Sequence, residues 1–197
     1  MNRNVVVMIA DDEPIVRLDL EEMLREAGYA DIIHARNGEE AIRIGYERQP
    51  DLVVMDVRMP DIDGIKAAVQ IGKWYDPAIV FLTSYSYKEC AAEARQAGAA
   101  GFVAKPFTEA TLLPAVEIAL SQQLRMRELR DDVRKLKTKM EERRVIDKAK
   151  GLLMQRDGLD EETAFGELRS LSMRERTGLK QIADRIIREF EQAKGDK

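Results

Sequence analysis

The chain has 197 residues, 45% of them hydrophobic, and its 32 basic and 36 acidic side chains give a net charge of −4. That apolar fraction is enough for a packed core, and the length allows one or two domains. No apolar run approaches the ~20 residues that span a bilayer, and the start lacks the features of a secretory signal. With one cysteine (Cys90) and one histidine (His34), an intramolecular disulfide is excluded and a zinc site is implausible. We therefore expect a cytoplasmic protein.

The charges divide unevenly along the chain. Residues 1–120 hold 12 basic and 20 acidic side chains, a net of −8, whereas residues 121–197 hold 20 basic and 16 acidic ones, a net of +4. A basic C-terminal part favours a nucleic-acid partner for that half, although solvated helix faces would give the same balance.

Short apolar runs alternate with amphipathic stretches over residues 1–118. Continuous apolar character over four to six residues suits parallel strands that are buried on both faces. The predicted strands are Val5–Ala10, Ile32–Ala35, Leu52–Met55, Ile79–Leu82 and Gly101–Ala104. Five strand–helix repeats predict an α/β fold with a doubly wound parallel sheet.

Several helix ends are marked by their residue types. Pro14 suits the first turn of a helix that stops at Gly28, Asn37 opens the next helix, and Ser86 to Glu89 has the spacing of a capping box. The apolar positions of the first helix are Ile15, Leu18, Leu20 and Leu24.

The composition changes from about Leu112 to Arg143, where charge rises and glycine and proline vanish after Pro114. Apolar residues recur there at intervals of 3, 4, 3 and 4, which is typical of a two-stranded coiled coil. The members of this apolar seam are Met126, Leu129, Val133, Leu136 and Met140. The alternative is a single long helix that packs this stripe on its own domain.

Three further helical segments follow Glu141 and suit a small three-helix bundle. The first covers Arg144 to Gln155, Asp160 caps the second, and the third runs from about Leu179 to Glu191. The pattern places Phe165 in the bundle core. Gly151 inside the first helix costs roughly 1 kcal/mol against alanine, so we expect it to permit close packing or close approach of another backbone.

Acidic and hydroxyl residues follow the predicted strands, at the sheet edge where ligands of such folds bind. Asp11 and Asp12 follow the first strand and Asp56 the third, while Thr83 and Lys105 follow the fourth and fifth. Crowded carboxylates repel one another, and Mg²⁺ relieves this repulsion. Asp56 would then be the nucleophile that forms an acyl phosphate, with Lys105 and Thr83 holding the phosphoryl oxygens.

Over residues 5–119 the chain resembles the receiver domain of two-component response regulators, which has a flavodoxin-like fold. The matching stretches are Ile9–Pro14, Val53–Gly64, Phe81–Ser84 and Gly101–Phe107. The resemblance implies Mg²⁺ bound by Asp12, Asp56 and the main-chain carbonyl of Arg58, with Asp11 supporting the metal. It also implies that a histidine kinase phosphorylates Asp56.

The same resemblance implies a switch. Thr83 and Phe102 match the family's hydroxyl and aromatic pair, in which the hydroxyl moves to the phosphate and the ring turns inward. Ser84 and Phe102 depart from the commoner alanine and tyrosine at these positions.

The C-terminal part offers a cluster of basic residues around two helix ends and no aromatic platform for stacking bases. Its stretches Val145–Met154, Glu161–Phe165 and Leu168–Leu171 resemble the ANTAR domain, a three-helix RNA-binding module of bacterial antiterminators, over residues 141–190. The order of parts is similar to that of the ethanolamine-utilisation antiterminator regulators. The RNA-contact candidates by this resemblance are Arg144, Lys148, Lys150, Arg174, Arg176 and Lys180.

We therefore expect a receiver over residues 1–119, a coiled-coil linker over 120–140 and an ANTAR domain over 141–197. The hypothesis is a regulator that, when phosphorylated, pairs into a homodimer, binds hairpins in a nascent mRNA leader and prevents transcription termination. The alternatives are a receiver that controls DNA binding, since three helices with a basic turn also describe a helix-turn-helix, and a protein-interaction adaptor. An enzyme in the usual sense is not expected, because aspartyl-phosphate phosphatases carry an Asp-x-Asp motif and Asp11 and Asp12 are adjacent.

Overall fold

The computed structural model describes residues 3–84 and 98–195, in which five strands and six helices are present. The strands are β1 (Arg3–Ala10), β2 (Tyr29–Ala35), β3 (Leu52–Asp56), β4 (Ala78–Thr83) and β5 (Gly101–Ala104). The helices are α1 (Pro14–Glu26), α2 (Gly38–Arg48), α3 (Gly64–Ile71), α4 (Glu109–Asp157), α5 (Glu161–Glu175) and α6 (Leu179–Gly195).

The five strands form one parallel sheet in the order β2-β1-β3-β4-β5. This confirms the predicted doubly wound α/β fold. Since all strands run in the same direction, their carboxyl ends share one edge, and the residues after β1, β3, β4 and β5 meet there.

Alternate residues of each strand serve two separate cores, because successive side chains point to opposite faces of a sheet. Met8 and Met55 belong to the core that α2 and α3 cover. Val7 and Val54 belong to the core that α1 and the start of α4 cover. The strands are therefore apolar on both faces, which explains their unbroken apolar runs.

The predicted helix starts at Pro14 and Asn37 are confirmed. Pro14 occupies the first turn of α1, and the Asn37 side chain accepts a hydrogen bond from the Glu40 amide at 2.8 Å. Leu20 and Leu24 of α1 are buried, whereas Ile15 and Leu18 are exposed. The predicted capping box from Ser86 to Glu89 lies outside the described residues.

Helix α4 is longer than the sequence pattern indicated. The linker and the first bundle helix were expected as separate segments, but residues 109–157 form one unbroken helix of 49 residues. No glycine or proline interrupts it between Pro114 and Gly151, so nothing in the local sequence ends it. In the part of the chain that the structure describes, no helix is long and apolar enough to cross a membrane.

The apolar seam of α4 is not covered by the described residues of the chain. Met126, Leu129, Val133, Leu136 and Met140 are between 47% and 73% exposed. The alternative in which this stripe packs on its own domain therefore fails for the described residues.

The chain divides into two compact units, residues 1–128 and 129–197. The second unit has its own core, built from Ala149, Leu153, Leu168 and Ile182 among others. The expectation that Phe165 belongs to this core is wrong: its side chain is 40% exposed. The helical period places Phe165 next to buried Ala164, at the margin of the apolar stripe, and the periodicity alone did not separate the two positions.

Polar contacts join α4 to the edge of the first unit's sheet at which the strands begin, opposite the carboxyl edge. The Gln123 amide donates to the Asp76 carbonyl. The Arg127 guanidinium donates to the same carbonyl at 3.3 Å and lies 3.5 Å from the Asp51 carboxylate. These contacts, which we call the Asp51–Arg127 clasp, fix α4 at the ends of the loops that lead into β3 and β4.

We predict that Gly64→Ala destabilises the first unit by about 2 kcal/mol or more, because a Cβ at Gly64 would lie 2.0 Å from the Asp56 carbonyl oxygen. Urea unfolding followed by circular dichroism measures this loss. Gly72→Ala, at the other end of α3, is the matched control, since its nearest atom would be 3.4 Å away. Equal unfolding free energies for the two variants would contradict the close approach at Gly64.

Candidate functional site

Three carboxylates gather at the carboxyl edge of the sheet. Asp11 and Asp12 follow β1, and Asp56 is the last residue of β3. One carboxylate oxygen from each lies within 4.8 Å of the others. Asp11 is fully buried, Asp56 is 6% exposed and Asp12 is exposed, so the cluster has buried walls and one side open to solvent.

Main-chain and side-chain donors fix the Asp11 carboxylate. Its Oδ1 accepts from the Glu13 amide at 2.9 Å, and its Oδ2 accepts from the Lys105 ammonium at 2.7 Å. Its carbonyl accepts from the Arg17 guanidinium at 2.6 Å. Arg17 was not among the predicted site residues, because its position one turn into α1 gives no signal for this contact.

The Lys105 ammonium bridges two of the carboxylates. It lies 2.7 Å from Asp11 Oδ2 and 3.1 Å from Asp56 Oδ2, and its side chain is 13% exposed. Burial would lower the pKa of Lys105, but the hydrogen bonds to Asp11 and Asp56 outweigh it and raise that pKa above its ordinary value. Lys105 therefore stays charged in the site.

Burial raises the pKa of the Asp56 carboxyl, an effect that the hydrogen bond and charge of Lys105 oppose and the Asp11 carboxylate reinforces. A hydrogen bond from the Arg58 main chain also favours the ionised form. One ammonium thus compensates only part of the charge of three carboxylates.

This donor set fits Mg²⁺. Mg²⁺ takes hard oxygen ligands, usually one or two carboxylates together with water and phosphate oxygens. Asp11 and Asp56 are held in place by burial and hydrogen bonds, and Asp12 lies on the solvent side. A further positive charge there would offset the remaining repulsion.

Thr83 and Phe102 also lie near this edge. Thr83 ends β4 and is 5% exposed. Phe102 in β5 is half-buried, and its ring centroid is 5.8 Å from that of Phe81. The structure places both residues of the expected switch pair on the neighbouring strands β4 and β5, with Phe81 paired to Phe102 in the sheet.

The basic residues selected in the second unit differ in their surroundings. Lys148 lies 2.9 Å from the Glu191 carboxylate, and Lys150 lies 2.6 Å from Glu161 and 3.0 Å from Asp147. Glu191 and Glu161 come from other helices, so the sequence pattern did not indicate them. Asp147 lies three residues before Lys150 on the same helix, a spacing that the sequence does show.

The other four candidates also differ in their exposure to solvent. Arg144, Arg174 and Arg176 are exposed, and Lys180 is half-buried at the start of α6. Among residues 3–84 and 98–195, no carboxylate lies within ion-pair distance of Arg144 or Arg176.

Gly151 does not serve packing within the chain. A Cβ added there would meet no described atom within 4 Å. The expected close packing is therefore wrong for contacts inside the chain, because the glycine lies on the exposed face of α4.

Two family models match the chain, and together they cover both units. The response regulator receiver domain matches residues 7–117, which include the whole acidic cluster. The ANTAR domain matches residues 134–187, beginning inside the segment expected as linker.

The chain is a two-component response regulator with an ANTAR domain.

This response regulator is similar over most of its length to a mycobacterial protein. It is 40% identical over 181 residues to the transcriptional regulatory protein PdtaR of Mycobacterium tuberculosis, covering 92% of this chain and 88% of that protein. The receiver alone is 36% identical over 112 residues to the chemotaxis protein CheY of Thermotoga maritima, covering 56% of this chain and 92% of that protein.

Solved structures support the receiver fold. A LuxR-family two-component response regulator from Aurantimonas sp. SI85-9A1 matches with a TM-score of 0.57 at 35% identity, covering 61% of this chain and 87% of that one. The chemotaxis response regulator CheY4 of Vibrio cholerae matches with a TM-score of 0.54 at 29% identity, covering 58% and 98%. The family regulates transcription, and the similarity to ethanolamine-utilisation regulators stays a prediction.

We predict that Lys105→Met destabilises the receiver of this response regulator by about 3 kcal/mol, because it leaves Asp11 and Asp56 buried without their counter-charge. Thermal and urea unfolding in metal-free buffer measure the loss, and added Mg²⁺ should reduce it. Lys66→Met is the control: that lysine pairs with Asp63 on the surface and should cost under about 1 kcal/mol. A loss no larger for Lys105→Met than for Lys66→Met would show that Lys105 does not balance the cluster.

Proposed function

We propose that this protein is a phosphorylation-controlled regulator that binds hairpin RNA in nascent mRNA leaders and prevents transcription termination. The observation that carries the proposal is the joining of an acidic, lysine-bridged receiver site and an ANTAR domain in one chain. The regulator acts in the cytoplasm, where its partners are a sensor histidine kinase and a structured RNA.

Asp56 is the proposed phosphoacceptor. Its carboxylate oxygen attacks the phosphorus of a phosphohistidine, so that the N–P bond breaks and an acyl phosphate O–P bond forms. Asp12, Asp56 and the main-chain carbonyl of Arg58 would hold Mg²⁺, with Asp11 supporting the metal from beside it, and the ion when bound would neutralise charge on the phosphoryl oxygens. Lys105, which lies 3.1 Å from Asp56, holds a phosphoryl oxygen by its ammonium.

Thr83 and Phe102 carry the signal away from the site in this proposal. The hydroxyl of Thr83, at the end of β4, turns to the phosphoryl group, and the half-buried ring of Phe102 moves inward. This changes the surface around β4 and β5. The phosphorylated arrangement must be favoured by several kcal/mol to shift most of the population.

Pairing of two chains is the proposed output of that change. The apolar seam of α4 is exposed on the described chain, as a coiled-coil surface must be before it pairs. The domain limits that we propose remain 1–119 for the receiver, 120–140 for the linker and 141–197 for the ANTAR domain. Two paired ANTAR domains would then hold adjacent hairpins.

The structure supports a ranking of the RNA-contact candidates. Arg144 and Arg176, exposed on α4 and at the end of α5, are the stronger ones, followed by Arg174 and Lys180. Lys148 and Lys150 are weaker, since RNA would have to replace their carboxylate partners. Phosphate contacts by such side chains dominate affinity and make it dependent on salt.

The proposal predicts that acetyl phosphate with Mg²⁺ tightens binding of the full chain to a tandem-hairpin leader RNA, and that Asp56→Ala abolishes this gain. Gel-shift titration measures both. Binding that ignores phosphorylation would leave an RNA-binding protein without the proposed switch. Retention of duplex promoter DNA in preference to any hairpin would instead indicate a DNA-binding regulator.

We predict that Arg144→Ala and Arg176→Ala each lower the slope of log affinity against log salt by about 1, as expected when one phosphate contact is lost. Lys150→Ala removes an ammonium that is already paired with two carboxylates, so it should change the slope less. Arg43→Ala on the receiver surface, where the arginine pairs with Glu47, is the control. A larger effect of Lys150→Ala than of Arg144→Ala would reverse the ranking.

A further inference from the structure

The ANTAR domain carries an open groove of about 650 Å³ between α4, α5 and α6. Ile146, Phe165 and Leu179, one from each helix, provide its apolar lining. Phe165 is 40% exposed, although Ala164 and Leu168 of the same helix are buried in the domain core. A large aromatic side chain that is partly exposed inside a groove is suited to pack against another molecule.

The rim of this groove is unfavourable for RNA. Four carboxylates line it, and the Lys150 ammonium is already paired with two of them, Asp147 and Glu161. The other two carboxylates, Glu142 and Glu162, line the groove together with Lys139 and Arg143. Phosphates placed here would meet carboxylates at close range, whereas a protein helix with charges of both signs would not.

We propose that this groove, which we call the Phe165 groove, receives helix α4 of a second copy of the chain. The apolar seam of α4 ends at Met140, and the next two positions of its 3-and-4 spacing are Arg143 and Asp147, which both line the groove. Two chains that pair along the seam therefore bring the partner's α4 to the groove's opening. The inference rests on the proposed pairing and adds a second contact surface to it.

The charges of the two surfaces are complementary. Residues 134–144 of α4 hold six basic and two acidic side chains, a net of +4. The start of α5 holds three carboxylates in a row, at Asp160, Glu161 and Glu162. In a two-fold symmetric pair, each such contact occurs twice, so the basic stretch of one copy meets the acidic helix start of the other on both sides.

Sedimentation equilibrium of the full chain with acetyl phosphate and Mg²⁺ tests the proposal. Phe165→Ala should raise the dimer dissociation constant about tenfold, because the central apolar contact is lost. Met173→Ala is the matched control, since Met173 is an exposed apolar residue of the same helix that does not line the groove; it should leave the constant within about twofold. Circular dichroism melting checks that both variants fold.

A charge-exchange experiment tests the occupant directly and does not depend on Phe165. Glu162→Lys and Arg143→Glu should each weaken self-association, because each places like charges across the pair. Mixing the two variants, with different affinity tags, should give a heterodimer tighter than either homodimer, since opposite charges then face each other at both contacts. Capture of one tag followed by detection of the other measures this preference.

The outcomes separate this inference from the pairing on which it rests. A wild-type chain that stays monomeric would contradict both the pairing and the groove contact. Leu136→Glu, in the apolar seam, is the reference variant for lost pairing. A wild-type dimer that Phe165→Ala and the charge variants leave unchanged would overturn the groove contact alone. Unchanged dimerisation with hairpin affinity about tenfold weaker in Phe165→Ala would assign the groove to RNA and likewise overturn the proposal.

Discussion

The ammonium of Lys105 lies between the carboxylates of Asp11 and Asp56, and this contact joins the two ends of the receiver sequence across 94 residues. Two buried carboxylates at such short range cannot both stay ionised without a counter-charge. The lysine supplies part of it and leaves the rest for a metal ion. The folded site therefore has an incomplete charge balance, which a bound cation would complete.

The receiver could be predicted largely from the sequence because its signals are local and its geometry is general. The apolar runs gave the strands, and the parallel order then placed Asp11, Asp56, Thr83 and Lys105 at one edge. Helix starts such as Asn37 follow from a single side chain and its neighbouring amides. Contacts such as that of Arg17 with the Asp11 carbonyl were not predictable, since no residue pattern encodes them.

The C-terminal half was less predictable for the same reason. Periodicity identified the three-helix core but could not decide on which side of its margin Phe165 falls. The charge count identified a basic region but not the Glu191 and Glu161 carboxylates beside Lys148 and Lys150, which come from other helices. The continuity of α4 was not predicted. The linker and the first bundle helix were treated as separate segments, although they share one uninterrupted run of helix-forming residues.

That uninterrupted run has a consequence for how such chains can change length. In a straight α-helix each residue turns the chain by about 100°, so the number of residues between Met140, at the end of the apolar seam, and Asp147, in the Phe165 groove, sets the angle between those two features about the helix axis. A single inserted residue would turn every later side chain away from its contact, whereas seven would nearly restore it. Length differences in this stretch among working relatives are therefore expected to keep the helical phase, as insertions of seven or eleven residues do to within about 20°. Domain exchanges between relatives should tolerate only junctions that preserve it.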